Sequence, residues 1–278
     1  MKLKILLGVV AVSAALLSCD IEQKIKELEK SSDAVDAVWD YNAAASHFQA
    51  VSKATDDVVT RSEGGYDIPI TTITPADLTT FPKDIVVDFG TVGMEGNDYR
   101  IRKGKLLIKL ENGWYREEGS VITTTFEDYY QDNFKIEGKR IATNKGLNPE
   151  DQIFFEVEIE DGKITDPQGK IVTYEQKNLR TWISGEDTPF ELWDDVYELD
   201  GTQNGKSSNG VDYKIFTRVG YPLVIDLTCP FVKDGVLDVE ISGAPQISVN
   251  YFKDVDMDEV PDCSPSATIT VNNVDYPL

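Results

Sequence analysis

Two acidic clusters offer the most reactive chemistry in this 278-residue chain. The run Asp254-Val255-Asp256-Met257-Asp258-Glu259-Val260-Pro261-Asp262 spaces Asp254, Asp256, Asp258 and Asp262 so that a curled backbone would aim their carboxylates at one point. Hard oxygens converging in this way suit Ca²⁺, which takes roughly six to eight ligands at about 2.3–2.6 Å, and Ca²⁺ is the one cofactor the pattern suggests. Met257 and Glu259 stand where a sharp curl ordinarily needs glycine, so a solvated acidic loop is the plainer reading. The second cluster sets Asp187, Glu191, Asp194 and Asp195 among Trp182, Phe190, Trp193 and Tyr197. Aromatic faces cover the apolar side of a sugar ring while carboxylates accept its hydroxyls, which makes Trp182, Trp193, Asp194 and Asp195 candidate ligand-binding residues. A pair of these carboxylates could also supply the acid and base of a glycosidase. Against both stands the ordinary use of aromatics in β proteins, as core residues or cross-strand pairs.

Other chemistries find no foothold. The single histidine, His47, lies in an alanine-rich segment with no local carboxylate pair and no Gly-x-Ser-x-Gly elbow to receive it, so a structural or surface role is expected and no residue is assigned as catalytic. Asn204-Gly205-Lys206-Ser207 has the ending of a phosphate loop, but Asp200 occupies the position of its leading glycine. A turn is the better description.

The amino terminus carries an address instead. Lys2 and Lys4 precede an apolar run, Ile5 to Leu17, that is too short to span a bilayer, and Leu16-Leu17-Ser18-Cys19 is a lipobox. Cleavage after Ser18 would leave Cys19 as a lipidated first residue, with the bilayer as partner through its acyl chains. Losing Lys2 and Lys4 from 27 basic and 49 acidic residues leaves 25 against 49, a mature charge of −24. Such a chain is repelled by nucleic acid and by anionic headgroups. Once Cys19 is lipidated, Cys229 and Cys263 remain, and in an oxidising envelope compartment they are expected to form a disulfide. Two buried free thiols are the alternative.

These groups must be positioned by a mostly β scaffold. Asp20 to Lys30 reads as a charged tether, and Ser31-Ser32-Asp33 offers N-cap oxygens ahead of Val35, Val38, Trp39, Asn42, Ala45, Phe48 and Val51 at spacings of three and four. One helix is predicted from about Ala34 to Val59. Pro69, Pro75 and Pro82 then punctuate the chain, and from Ile85 the period becomes two: Ile85–Phe89, Lys105–Leu110, Val121–Phe126 and Phe154–Ile159 alternate in the manner of strands. Asn112-Gly113, Glu137-Gly138, Asp161-Gly162, Gln168-Gly169, Asp200-Gly201, Asn204-Gly205, Asn209-Gly210 and Asp234-Gly235 are expected to turn between them. A weak Gly-Lys echo at Gly104, Gly138, Gly162 and Gly169 follows from the same hairpin logic. The fold class is mainly β, an antiparallel meander with one N-terminal helix, left open between a barrel, a sandwich and a curved open sheet. Residues 1–18 form the signal peptide, 19–62 the tether and helix, and 63–278 the β ectodomain.

The chain resembles a family of Bacteroidota lipoproteins of unassigned activity. The likeness rests on Ala45-Ser46-His47-Phe48, Ile85-Val86-Val87-Asp88-Phe89-Gly90-Thr91, Arg100 to Lys105, Gly119 to Phe126, Asn133 to Gly138, Leu179 to Gly185, and Cys263 before Ala267 to Val271. It implies an extracytoplasmic, mostly β protein and supplies no activity. Gly90-Thr91-Val92-Gly93-Met94 departs from it where such proteins often carry a cysteine, and so does the acidic run before Cys263, whose order is similar to a thrombospondin type 3 loop. The expected function is a non-enzymatic binding or accessory lipoprotein, anchored at the outer membrane and displayed outward, with a glycan or an envelope protein as partner. A carbohydrate-active hydrolase and a structural or adhesion protein are the competing classes.

Overall fold

The structure, a computed structural model, describes residues 9–65, 70–96, 98–188, 190–254, 257–258 and 260–278, with helix side chains from residue 32 onward. The start of the proposed leader, the side chain of Cys19 and all of Asp256 lie outside the described residues. Helix α1 runs Val9–Glu63 without interruption, so Ser31, Ser32 and Asp33 are interior residues and do not cap its start. The physical reason lies in the stretch read as a tether: Glu, Gln, Lys and Leu dominate Asp20 to Lys30 and propagate a helix readily. The apolar stripe holds only in part: Val38, Phe48 and Val51 are buried, but Trp39 is 47% exposed and Val35, Asn42 and Ala45 are half-buried, because the buried face runs instead through Ala34, Tyr41 and Ala44. Among the described residues no helix is long and apolar enough to cross a membrane.

After α1 the described residues form one antiparallel sheet of 15 strands. They are β1 Thr71–Thr74, β2 Lys83–Asp88, β3 Met94–Glu95, β4 Ile101–Glu111, β5 Val121–Gln131, β6 Phe134–Leu147, β7 Ile153–Thr165, β8 Ile171–Ser184, β9 Val196–Lys206, β10 Asp212–Thr217, β11 Leu223–Asp226, β12 Val236–Ile241, β13 Ile247–Asn250, β14 Thr268–Val271 and β15 Val274–Pro277. Neighbours in sequence are neighbours in space, except that β3 pairs only with β4, and β11 pairs with β9 beside β10. With β1 and β15 at opposite ends of the strand order, the meander stays open. Cys229 and Cys263 form a disulfide, with Cα atoms 5.7 Å apart, that ties the segment after β11 to the segment before β14.

The core fills the space between α1 and one face of this sheet. Alternate residues point inward, Leu106, Ile108 and Leu110 on β4 and Phe155, Val157 and Ile159 on β7, and they meet the helix stripe in a single apolar cluster. Phe48 stacks on Tyr174 with ring centroids 5.3 Å apart, while Tyr41 packs against Tyr174 at 6.1 Å.

Several glycines expected at turns lie inside strands instead. Gly138 is within β6, Gly162 within β7, and Gly201 and Gly205 within β9. The register shifts at Lys103/Lys105 on β4 and at Ile159/Gly162 on β7 show what Gly162 and, likewise, Gly104 do. A Cβ on Gly104 would come within 2.0 Å of the Asp128 carbonyl oxygen, and one on Gly162 within 2.1 Å of the Tyr174 oxygen and 3.1 Å of the Phe48 ring. Glycine at such a bulge allows close backbone approach and bends the strand. The strands are therefore longer than the turn pattern suggests, and the sheet curves about the helix.

Candidate functional site

Inward alternation along β8 places Tyr174, Asn178, Arg180 and Trp182 on the face that meets the helix. Asp56 comes from the helix, from the row that also carries Ser52 and Val59. Arg140 arrives from β6. The Asp56 carboxylate accepts from Arg180 Nη1 at 2.6 Å and pairs with Arg140 Nη2 at 3.2 Å, both arginines being buried. Arg180 Nη2 donates to the Tyr115 hydroxyl at 2.6 Å, and the hydroxyls of Tyr115 and Tyr197 lie 3.2 Å apart. Tyr197 donates in turn to Asp195 Oδ2 at 2.8 Å. A directional chain of polar groups thus crosses the core from Arg180 to Asp195.

The electrostatics follow from burial. Desolvation pushes the Asp195 carboxyl up to about 7, with Asp194 adding repulsion, and it raises the phenols of Tyr115 and Tyr197 above their ordinary value. Burial lowers Arg140. Arg180 is raised despite its own desolvation, because Tyr115 and Asp56 favour its charge, and its guanidinium also lies over the rings of Tyr197 at 4.6 Å and Phe155 at 4.9 Å. Arg140 Nε and Nη1, Arg180 Nε and Asp195 Oδ1 are buried with no hydrogen-bond partner among the described residues.

Beside this cluster a cavity of about 130 Å³ separates α1 from β8, β9 and the disulfide-tied segments. Its wall grades from aromatic at Tyr41, Phe48 and Tyr174 to polar at Lys53, Asp56 and Arg180. Asn178 and Gln203 lie between, with Gln203 Nε2 donating to Asn178 Oδ1 at 2.8 Å. Lys53 Nζ donates to the Leu227 carbonyl and sits 4.3 Å from the centroid of the Trp193 ring; desolvation lowers its amine.

The residues proposed from sequence for ligand binding do not form this wall. Trp182 is buried and donates through Nε1 to the Ser184 carbonyl at 2.7 Å. Asp195 is buried beneath Tyr197, whereas Asp194 Oδ2 accepts from Thr188 on the β8–β9 loop. Trp193 alone approaches the cavity, through Lys53. In the acidic run, Asp254 Oδ1 accepts from the Asp258 amide at 3.1 Å, Asp258 Oδ1 from the Val260 amide at 2.9 Å, and the Asp262 amide donates to Lys253. Among the described residues no group of three acidic, histidine or cysteine side chains is placed to hold a metal ion.

His47 is a core residue. Gln131 Nε2 lies 3.0 Å from its Nδ1, its ring packs 4.7 Å from Phe134, and burial lowers its imidazole to about 4. Sequence reasoning missed Lys53, Asp56, Arg140, Arg180 and Gln203. The signal for Arg180 was its position two residues from Trp182 on an alternating strand, which puts it on the tryptophan's face. No protein-family model, curated protein or solved structure matches the chain.

Proposed function

We propose that this protein is an envelope lipoprotein, anchored at the outer membrane through acyl chains on Cys19 and displayed outward, whose ectodomain binds a small ligand in the cavity beneath α1 without transforming it. One observation carries the binding reading: a cavity of about 130 Å³ bordered by buried polar atoms that lack hydrogen-bond partners among the described residues. Ligand sites are concave, largely apolar and furnished with a few convergent polar groups, as this wall is. The carboxylates that would serve a hydrolase do not favour catalysis, because Asp194 and Asp195 are absent from the cavity wall. The anchor rests on the lipobox, and the strong negative charge favours a neutral or small ligand over nucleic acid.

A thermal-shift screen of the full-length protein in detergent against a metabolite library should return compounds that raise the melting temperature. Their effect should vanish in Ser52→Trp, which fills the cavity. Effects untouched by that substitution, or no hits at all, would contradict the reading. Labelled palmitate should enter the wild-type chain in cells and not Cys19→Ala. Turnover of a chromogenic glycoside abolished by Asp194→Ala or Asp195→Ala would replace binding with hydrolysis.

A further inference from the structure

Among the described residues Asp56 is the sole carboxylate side chain in the cavity wall, and two arginines already engage it. Lys53 and Arg180 share that wall, so the polar end is cationic inside a chain whose formal net charge is −22. Two of its buried atoms have complementary needs. Among the described residues, Arg180, 7% exposed, has an Nε–H without an acceptor, and Gln203, 1% exposed, has an Oε1 without a donor. The Gln203 amide is oriented by its bond to Asn178, which leaves the carbonyl oxygen as its free end. An unpaired buried donor on a cation calls for an anion, and an unpaired acceptor calls for a hydroxyl.

Size narrows the class further. A dry cavity of about 150 Å³ holds a benzene ring, so about 130 Å³ encloses one six-membered ring, and the cavity's opening to solvent leaves room for the remaining substituents. The aromatic end at Tyr41, Phe48 and Tyr174 offers apolar surface for the body of such a ring.

We propose that the cavity binds a hydroxylated organic acid built on one ring, with its carboxylate held by Arg180 Nε and Lys53 Nζ and one hydroxyl donating to Gln203 Oε1. The inference rests on the cavity being the binding site. Both halves of the recognition are required, since a neutral polyol leaves the cations unpaired and an acid without hydroxyls leaves Gln203 unpaired.

Isothermal titration of the full-length protein in detergent with D-glucuronate, D-glucose and benzoate separates these terms. Glucuronate is expected to bind at least tenfold more tightly than either of the others. Lys53→Met should weaken glucuronate and benzoate about tenfold, while Gln203→Leu should weaken glucuronate and leave benzoate unchanged. Circular dichroism and melting establish that each variant is folded, and the comparison among three ligands on the wild type stands without either variant. Glucose binding as tightly as glucuronate would overturn the anion requirement and leave the cavity a binding site. Benzoate matching glucuronate would overturn the hydroxyl requirement. No heat with any of the three would overturn the proposal itself, whereas the broader binding reading falls only if the library screen is also empty or its hits are untouched by Ser52→Trp.

Discussion

Helix α1 is held to the sheet by two buried polar clusters that solve the same problem differently. Around His47, Gln131 donates to the imidazole Nδ1 and to the His47 carbonyl, while its own oxygen accepts from Tyr129 at 3.0 Å. Nearby, Arg102 forms a two-pronged pair with Asp98 at 2.7 and 2.6 Å. Apart from Arg102 Nε, the buried side-chain atoms of that group have partners. Around Asp56, one carboxylate pairs with two arginines, and three guanidinium nitrogens, together with Asp56 Oδ1, have no hydrogen-bond partner among the described residues. The first cluster is what a fold needs to bury a histidine neutrally. The second carries more positive charge than the core consumes, and it adjoins the cavity. Surplus polar capacity at one place, beside balanced pairing at another, marks where a ligand would contribute the missing partners.

Removing the shared partner should expose the imbalance most severely. Asp56→Ala leaves two buried guanidinium groups facing each other, and a loss of about 3–5 kcal/mol is expected in chemical denaturation. Gln131→Leu, at the balanced cluster, removes neutral hydrogen bonds and is expected to cost about 1–3 kcal/mol. Equal losses would mean that the two clusters are energetically alike.

The clusters should also answer pH in opposite senses. His47 has its folded pKa depressed to about 4, so its contribution is lost as pH falls below the unfolded value near 6.5. Asp195 has its folded pKa raised to about 7, so the folded state holds a proton that the unfolded state has released above about 4. Stability from that site therefore declines between about pH 4 and 7. Asp195→Asn keeps an acceptor for Tyr197 and removes the ionisation. Its melting temperature relative to wild type should rise across that window and level off above pH 7. A difference independent of pH would show that Asp195 titrates normally.

Much of the scaffold was legible because it is local. Period-two runs found the cores of β2, β4, β5 and β7, three-and-four spacing found the helix but only Val38, Phe48 and Val51 of its buried face, and the cysteine count suggested the bridge between Cys229 and Cys263. Glycine misled where it stood for bending: Gly138 and Gly162 look like turn residues but sit at strand bulges, a distinction made by the neighbouring strand's backbone. The polar cluster was illegible for a related reason. Asp56 meets Arg140 across 84 residues and Arg180 across 124, so no local spacing announces the contact. The aromatic and acidic loop at Trp193 and Asp194 drew attention because its residues are close in sequence, whereas the cavity wall is assembled from α1, β8 and β9.

The central claim is that the free capacity of the Asp56 cluster serves a ligand. Nitrogen-15 NMR of the arginine Nε–Hε groups during titration with D-glucuronate tests it at the atom concerned. The Arg180 Nε–Hε resonance should shift saturably while that of Arg102, beside His47, stays fixed. A saturating shift at Arg102 with none at Arg180, or no shift at either, would contradict the account.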